Sequence, residues 1–274
     1  MSEEQATLHT QIDALMRAYY KDYYQRDLSL PDWQERIERR LDEENSLAEP
    51  NIRMIEEWMD LQFSGQRVLV VGAGTGAESV VFSQRGAEVY GIEPYDKAMQ
   101  ILHLKAKLHN IPAERFKQAN AEDIPHPDES FDFVYCYTVI EHVQDVERSI
   151  DEMLRVCKVG GTVYIQTPEY RFPYEGHYKM NRLPFSPRWL GQLQLLWQRR
   201  SAKFLGTVNF VTAPQLNRIF FARNVVTVRV DPPWLLDWEK QMRHRNPFQY
   251  WFAKRFGMGR DQFIFLKKLP PRSQ

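Results

Sequence analysis

The sequence predicts an α/β protein built on a parallel sheet, with its ligand site at the carboxyl ends of the strands. Three observations carry that prediction. "VLVVGAGTGAE", Val68 to Glu78, joins an apolar run to three glycines in five positions and then to a helical pattern. A buried strand meets a tight turn and a helix N-terminus in this way. From Gly65 to Pro168, runs of strand length alternate with helical patterns of ten to fifteen residues, as βαβ units require. Glu93 stands nineteen residues after Gly74, at the tip of the second apolar run. Right-handed crossovers then place ligands beyond the strand ends.

The elements follow in order. In the first sixty residues Ile12, Leu15, Met16, Tyr19, Tyr20 and Tyr23 recur at helical spacing. A polar helix, "WQERIERRLDEEN", comes next. A third, "PNIRMIEEWMDLQF", is expected to open near Pro50. "RVLVV" is a strand, and "AESVVFSQRG" a helix ended by Gly86. "AEVYGIEP" is a strand, and "DKAMQILHLKAKLHN" a helix ended by Asn110. "ERFKQAN" is a short strand, and "SFDFVYCYTVI" a buried one. "DVERSIDEMLRVCKVGG" is a helix expected to run to Gly160 and Gly161, and "GTVYIQTP" is a fifth strand. Further on, "TAPQLNRIFFARN" is a helix with Thr212 as its cap. "VVTVRVD" reads as a sixth strand and "DQFIFLKKL" as the last.

The expected organisation is a helical N-terminal cap over 1–64 and a main domain over 65–274. The main domain divides into a cofactor-binding half, 65–168, and a substrate-side half, 169–274, with insertions at 169–210 and 232–260. A chain of 274 residues with 43% hydrophobic content can bury a sizeable core. Cys136 and Cys157 lie in apolar patterns, which reads as buried thiols rather than a disulfide or metal framework; no metal is expected. No signal peptide or membrane span is read, so a cytoplasmic location is expected. Net charge is zero, yet residues 1–170 hold 17 Lys and Arg against 31 Asp and Glu, and the remainder 19 against 5. The two halves balance each other, or the basic part faces an anionic substrate or surface.

The glycine turn alone suits two ligands. Gly72-Ala73-Gly74-Thr75-Gly76-Ala77 satisfies the dinucleotide fingerprint, and Glu93 can accept from ribose hydroxyls of either a dinucleotide or S-adenosylmethionine. The stretch "NAEDIPHPDESFDFVYCYTVIEHV", Asn120 to Val143, separates them. Its Asn120-Ala121-Glu122, Ile124-Pro125-His126, Ser130-Phe131-Asp132 and Glu141-His142 resemble the region after strand three in class I S-adenosylmethionine-dependent methyltransferases. The likeness is to the small-molecule, type 11/12 group that includes ubiquinone-pathway enzymes, and it covers about a hundred residues from the glycine turn on.

That resemblance implies a Rossmann-like, seven-stranded, mostly parallel sheet with an antiparallel last strand. It implies S-adenosyl-L-methionine as cofactor. Gly72, Ala73, Gly74 and Gly76 would line its methionine and ribose, and Glu93 would hold the ribose hydroxyls. Asn120, Ala121 and Glu122 would border the adenine, and Tyr137 and Thr138 the methionine part. Two positions depart from the pattern. Val70 stands where many relatives carry an acid, and Asn120 replaces the adenine-side acid, although its amide oxygen still accepts a hydrogen bond. Glu141-His142 reads as a loop and helix start beside the cofactor, in a surface or capping role.

An oxygen acceptor must lose a proton, for which His, Asp, Glu or Lys serves. The loop after strand five offers His177 as candidate base and Glu175 beside it, with Glu169, Tyr170, Tyr174 and Tyr178 on the substrate side. The expected partner is a small-molecule acceptor, anionic or lipid-like. The aromatic-basic stretches "LGQLQLLWQRRSAKFLG" and "NPFQYWFAKRFGMGR" read as lids, as an interfacial patch, as internal packing, or, ranked last, as a nucleic-acid surface. Two other functions stay open at this point: a nicotinamide-dependent oxidoreductase and a non-catalytic S-adenosylmethionine-binding scaffold.

Overall fold

The computed structural model describes residues 2–230 and 243–271; residues 232–242 of the second expected insertion lie outside them. Two long helices come first. α1 (Glu3–Lys21) starts in a reciprocal cap between Ser2 and Gln5. It runs on into a π-helical turn, Asp22–Asp27. α2 spans Trp33–Met59 with Pro50 in its interior. The two helices expected there are therefore one. Proline removes one backbone donor, but Ala48, Ile52 and Ile55 on either side of it are buried in the main core, so packing holds the helix together.

β1 (Arg67–Val71), β2 (Glu88–Ile92), β3 (Phe116–Lys117), β4 (Phe131–Tyr137) and β5 (Cys157–Pro168) are joined by α3 (Ala77–Gln84), α4 (Asp96–Leu108) and α5 (Val146–Val156). A small hairpin, β6 (Tyr174–Glu175) and β7 (Met180–Asn181), follows. Then come α6 (Arg188–Trp197), α7 (Lys203–Thr207), α8 (Ala213–Phe221), β8 (Val225–Arg229), α9 (Pro247–Phe256) and β9 (Asp261–Lys268). The large sheet has seven strands in the order β3-β2-β1-β4-β5-β9-β8. Strands β1 to β5 pair in parallel, and β9 runs antiparallel to both β5 and β8. The expected sheet is borne out.

Alternate residues serve opposite faces. Leu69, Val71, Val134, Cys136, Val163 and Ile165 pack with α5 and α8. Val68, Val70, Phe133, Tyr135 and Tyr164 pack on the other face with α2, α3 and α4. Burial on both faces explains why these strands read as continuous apolar runs. The α1 face of Ile12, Met16 and Tyr20 lies on Ile101 of α4.

Two boundaries differ from the sequence reading. α5 stops at Val156, and Cys157–Gly161 already belongs to β5. The cause is pairing: Cys157 is in register with Phe131, and a shift between Phe131 and Phe133 absorbs the extra residues. Gly161 is needed there, because a Cβ would lie 2.9 Å from the Asp132 carbonyl oxygen. At α8, Thr212 occupies the cap position without a side-chain bond. The Glu169 carboxylate accepts the Ala213 amide instead, at 3.0 Å. Both cysteines are free and buried, as expected. Among the described residues no helix is long and apolar enough to cross a membrane.

Candidate active site

The strand order reverses between β1 and β4, which both leave toward the same end of the sheet. That crevice is where open α/β sheets take ligands. Gly72, Gly74 and Gly76 all have positive φ, of 67°, 52° and 92°, a region costly for residues with a Cβ. Their surroundings differ. A Cβ on Gly72 would sit 2.3 Å from Val139, and one on Gly76 2.7 Å from Leu102; on Gly74 it would meet only the Gly72 carbonyl oxygen, at 3.9 Å. Gly72 and Gly76 thus admit neighbouring side chains, while Gly74 leaves open space above the turn. The Ala73 amide donates to the Ile92 carbonyl, tying the turn to β2.

Glu93 is buried at the tip of β2. One carboxylate oxygen accepts the Gly74 amide at 2.9 Å, and the other the Tyr95 amide at 3.0 Å. Burial raises its pKa, and the two amides oppose that rise. Each oxygen keeps a lone pair, so the acid can position the turn and still accept a hydroxyl. Asn120 is exposed and Ala121 buried beside it. The Glu122 carboxylate accepts the Gln144 and Asp145 amides just ahead of α5. Thr138 leaves β4 at φ 53°, with its amide donating to Gln166. Tyr137 stacks on Tyr135.

A second cluster lies past β4 and β5. Glu141, expected at the surface or in a cap, is completely buried. One of its oxygens accepts the Thr167 hydroxyl at 3.1 Å, and Oε1 has no hydrogen-bond partner. Burial raises its pKa to about 7, against the attraction of His177. His142 Nε2 stands 3.2 Å from His177 Nε2, and His177 Nδ1 stands 2.6 Å from Glu175 Oε1. Burial lowers the His142 pKa to about 3, with His177 adding to the effect. Burial also disfavours a charged His177, yet the Glu175 carboxylate outweighs it and holds that imidazole above its usual value. Glu175 also accepts the Tyr178 amide. β6 and the turn after it thus aim His177 at the residues following β4.

The other substrate-side residues divide. Tyr170 is buried, stacks on Phe210 at 4.6 Å, and leaves its hydroxyl without a partner. Glu169 is engaged with Arg171 and the start of α8. The Tyr178 hydroxyl accepts the Leu205 amide. Tyr174 is half-buried at the start of β6. A cleft of about 470 Å³ opens between Tyr170, Phe185, Arg188 and Phe210.

The sequence reading missed three contributors. Phe204 of α7 lies against both imidazoles, 5.6 Å from His142 and 5.3 Å from His177. Tyr19 of α1 and Tyr23 of the π-helical turn, four residues apart, lie within electrostatic reach of the two clusters. Burial raises both phenol pKa values, and smaller contributions come from Glu93 at Tyr19 and from Glu175 and Glu141 at Tyr23. The run "AYYKDYY" was the available signal, but helical spacing alone also suits plain core packing.

Taken together, the switch-point crevice, glycine turn and strand-end acid define a Rossmann-like nucleotide-cofactor site. Residues 69–165 match the family model described as a methyltransferase domain. That segment is similar to class I S-adenosylmethionine-dependent methyltransferase domains, whose cofactor is S-adenosyl-L-methionine. The chain is 34% identical over 95 residues to the uncharacterized methyltransferase YcgJ of Bacillus subtilis, covering 35% of this chain and 38% of YcgJ. It is 33% identical over 137 residues to the ubiquinone biosynthesis O-methyltransferase of Azoarcus sp., covering 47% of this chain and 58% of that protein. The chain therefore spans between two fifths and three fifths of these relatives. The crystal structure of YcgJ superposes with a TM-score of 0.55 at 19% identity, over 79% of this chain and 97% of YcgJ. A geranyl diphosphate C-methyltransferase of Streptomyces coelicolor, solved with Mg2+, geranyl diphosphate and S-adenosyl-L-homocysteine, superposes with a TM-score of 0.53 at 17% identity, over 79% of each chain.

The chain's own residues fit that cofactor. Gly74 leaves open space where a ligand must approach, and the Glu93 carboxylate retains accepting capacity. Val70 is buried in β1, so the cofactor's ammonium group needs a carbonyl or a water in place of an acid. Glu93→Ala is expected to weaken S-adenosylhomocysteine binding by about 1.5–3 kcal/mol, the scale of a lost charge-assisted hydrogen bond. Calorimetry on both proteins reads this, and an unchanged affinity would remove Glu93 from the ribose.

Proposed function

We propose that this protein transfers a methyl group from S-adenosylmethionine to a hydroxyl of a small, largely apolar acceptor. The observation that carries the reading is the meeting of two clusters at one end of the sheet. The glycine turn and Glu93 form one, and His177, Glu175, Glu141 and His142 the other. Val139, packed on Gly72, stands two residues before Glu141, so one short segment joins them.

Bound S-adenosylmethionine supplies a methyl group already activated as a sulfonium. The chain supplies placement. The turn and Glu93 hold the ribose, Asn120 and the Ala121 amide border the adenine, and Tyr137 and Thr138 border the methionine chain. Tyr19, Tyr23 and Phe204 exclude water from the space between the clusters. Orientation of this kind accounts for about 7–11 kcal/mol in favourable cases. His177, oriented by Glu175, assists the loss of the proton from the acceptor hydroxyl.

An apolar acceptor accords with the surface beside the cleft. On α6, Trp189, Leu193, Leu196 and Trp197 are exposed on neighbouring turns, and α9 adds exposed Phe248 and Trp251. These lie in the basic part of the chain, a combination suited to drawing a lipid-like substrate from an anionic interface. A reducing, cytoplasmic setting accords with the two unbonded thiols. Domain boundaries at 64/65 and 168/169 accord with where the helical cap ends and the insertion begins.

The test has two steps. Calorimetry is expected to register S-adenosylhomocysteine binding and no comparable binding of NAD. Methyl release from labelled S-adenosylmethionine is then followed with hydroxylated apolar acceptors, phenols and catechols carrying alkyl chains. Tighter binding of NAD would overturn the cofactor. Binding without turnover on any acceptor would leave a scaffold.

A further inference from the structure

We propose that Glu141, His142 and His177 form a binding site for a first-row divalent transition-metal ion, which holds the hydroxyl of the acceptor. The proposal rests on the methyl-transfer reading for the role of the ion, but not for its binding.

The geometry comes first. One carboxylate oxygen of Glu141 and one ring nitrogen each of His142 and His177 all lie within 4.8 Å of one another. The two nitrogens are 3.2 Å apart, and His142 Nε2 is 4.0 Å from Glu141 Oε1. Ligands at about 2.1 Å from a common ion, at tetrahedral or octahedral angles, are separated by roughly 3.0–3.4 Å. The imidazole pair already has that spacing. The carboxylate needs to close by less than about 2 Å, within the reach of a rotamer change of the Glu141 side chain.

Hydrogen bonding points the same way. His177 Nδ1 faces Glu175, so a neutral His177 carries its proton on Nδ1 and presents the Nε2 lone pair to His142. His142 can answer with an Nε2 proton, and that satisfies the imidazole pair. It leaves Glu141 Oε1 buried with no hydrogen-bond partner, which is costly for an acceptor removed from water. An ion satisfies all three atoms together. The Glu175–His177 bond is then the carboxylate behind a ligating histidine, which fixes the ring and its tautomer.

Charge agrees. Glu141 and Glu175 are both fully or nearly fully buried, and a divalent cation among them offsets two carboxylates. The donor set selects the ion: two imidazoles and one carboxylate suit zinc or iron rather than magnesium or calcium. Three protein ligands leave open positions, as in sites that act on a substrate rather than brace a fold. An acceptor hydroxyl taking one of them becomes more acidic. Its proton passes to water, its oxygen bonds to the methyl carbon, and the carbon–sulfur electron pair returns to sulfur. The acceptor class is therefore a phenol or catechol rather than a carbon or amine nucleophile. No sequence motif announced the site, because His177 lies 35 residues from His142.

The test uses the full chain, stripped with chelator and titrated with Zn2+ against a chromophoric competitor. One ion per chain is expected. Co2+ substitution should give the intense visible bands of a site with fewer than six ligands. His142→Ala and His177→Ala should each weaken Zn2+ binding at least 100-fold. Glu175→Gln should weaken it about 10–100-fold. All three should keep the parent's affinity for S-adenosylhomocysteine, which shows that they fold. If an alanine variant does not fold, the near-isosteric Glu141→Gln and Glu175→Gln carry the comparison. Absence of stoichiometric Zn2+ binding in the parent overturns the proposal, as does undiminished binding in the variants. Zn2+ binding without S-adenosylhomocysteine binding would leave the site standing and remove the methyl-transfer reading.

Discussion

His177→Ala is expected to lower methyl turnover by about 10²–10⁴-fold, the range for losing a group that assists proton removal in the transition state. S-adenosylhomocysteine affinity should stay at the parent value, because His177 contacts Glu175 and His142 rather than the glycine turn or Glu93. The effect should fall on kcat more than on KM for the cofactor. Steady-state kinetics with a phenolic acceptor, beside calorimetry on the same preparation, separates the two quantities. Full activity in the variant would leave orientation as the whole mechanism and would direct the search to carbon or amine acceptors. A loss that follows a fall in melting temperature would mark His177 as a prop for the hairpin loop.

Gly74→Val should abolish measurable cofactor binding while the chain still folds. The residue sits at φ 52°, so a side chain there costs about 1–2 kcal/mol of backbone strain. Its Cβ would meet nothing closer than the Gly72 carbonyl oxygen at 3.9 Å, so no neighbour is displaced. The branched side chain projects instead into the space where the ligand approaches. Gly72→Val is the contrasting case, since its Cβ would lie 2.3 Å from Val139 and must disturb the core. Folding is read by circular dichroism and binding by calorimetry. Unchanged affinity in Gly74→Val would put the cofactor elsewhere on the sheet.

Aromatic residues on the first helix link these two results. Tyr19 lies within electrostatic reach of Glu93, and Tyr23 within reach of Glu141 and Glu175. The helical cap thus comes near both the Glu93 cluster and the Glu141–Glu175 cluster. Phe204 reaches the same place from the insertion, packing on Tyr23 at 5.5 Å and on both imidazoles. A site bordered by segments from before and after the parallel strands can exclude water without depending on the sheet alone.

The parts of this protein legible in its sequence are those whose cause is local. Val68–Val71 reads as a buried strand because four consecutive apolar residues suit a sheet covered on both faces. Gly72, Gly74 and Gly76 read as a ligand turn because only glycine takes such dihedrals cheaply. Glu93 could be placed because a strand, a turn and a helix occupy a predictable length of chain. The tertiary structure decided the rest. Pro50 stays inside α2 because burial of Ala48, Ile52 and Ile55 outweighs one lost hydrogen bond. Cys157 joins β5 because its pairing with Phe131 overrides the helical pattern leading into it. Glu169 caps α8 from 44 residues away. Glu141, to which the resemblance gave a surface or capping role beside the cofactor, is sealed inside and lies near His177 past the ends of two strands. Spacing along a chain records which neighbours a residue has in its own element. It carries no record of which distant loop packs over that element, and that contact sets burial, charge and the chemistry open to the side chain.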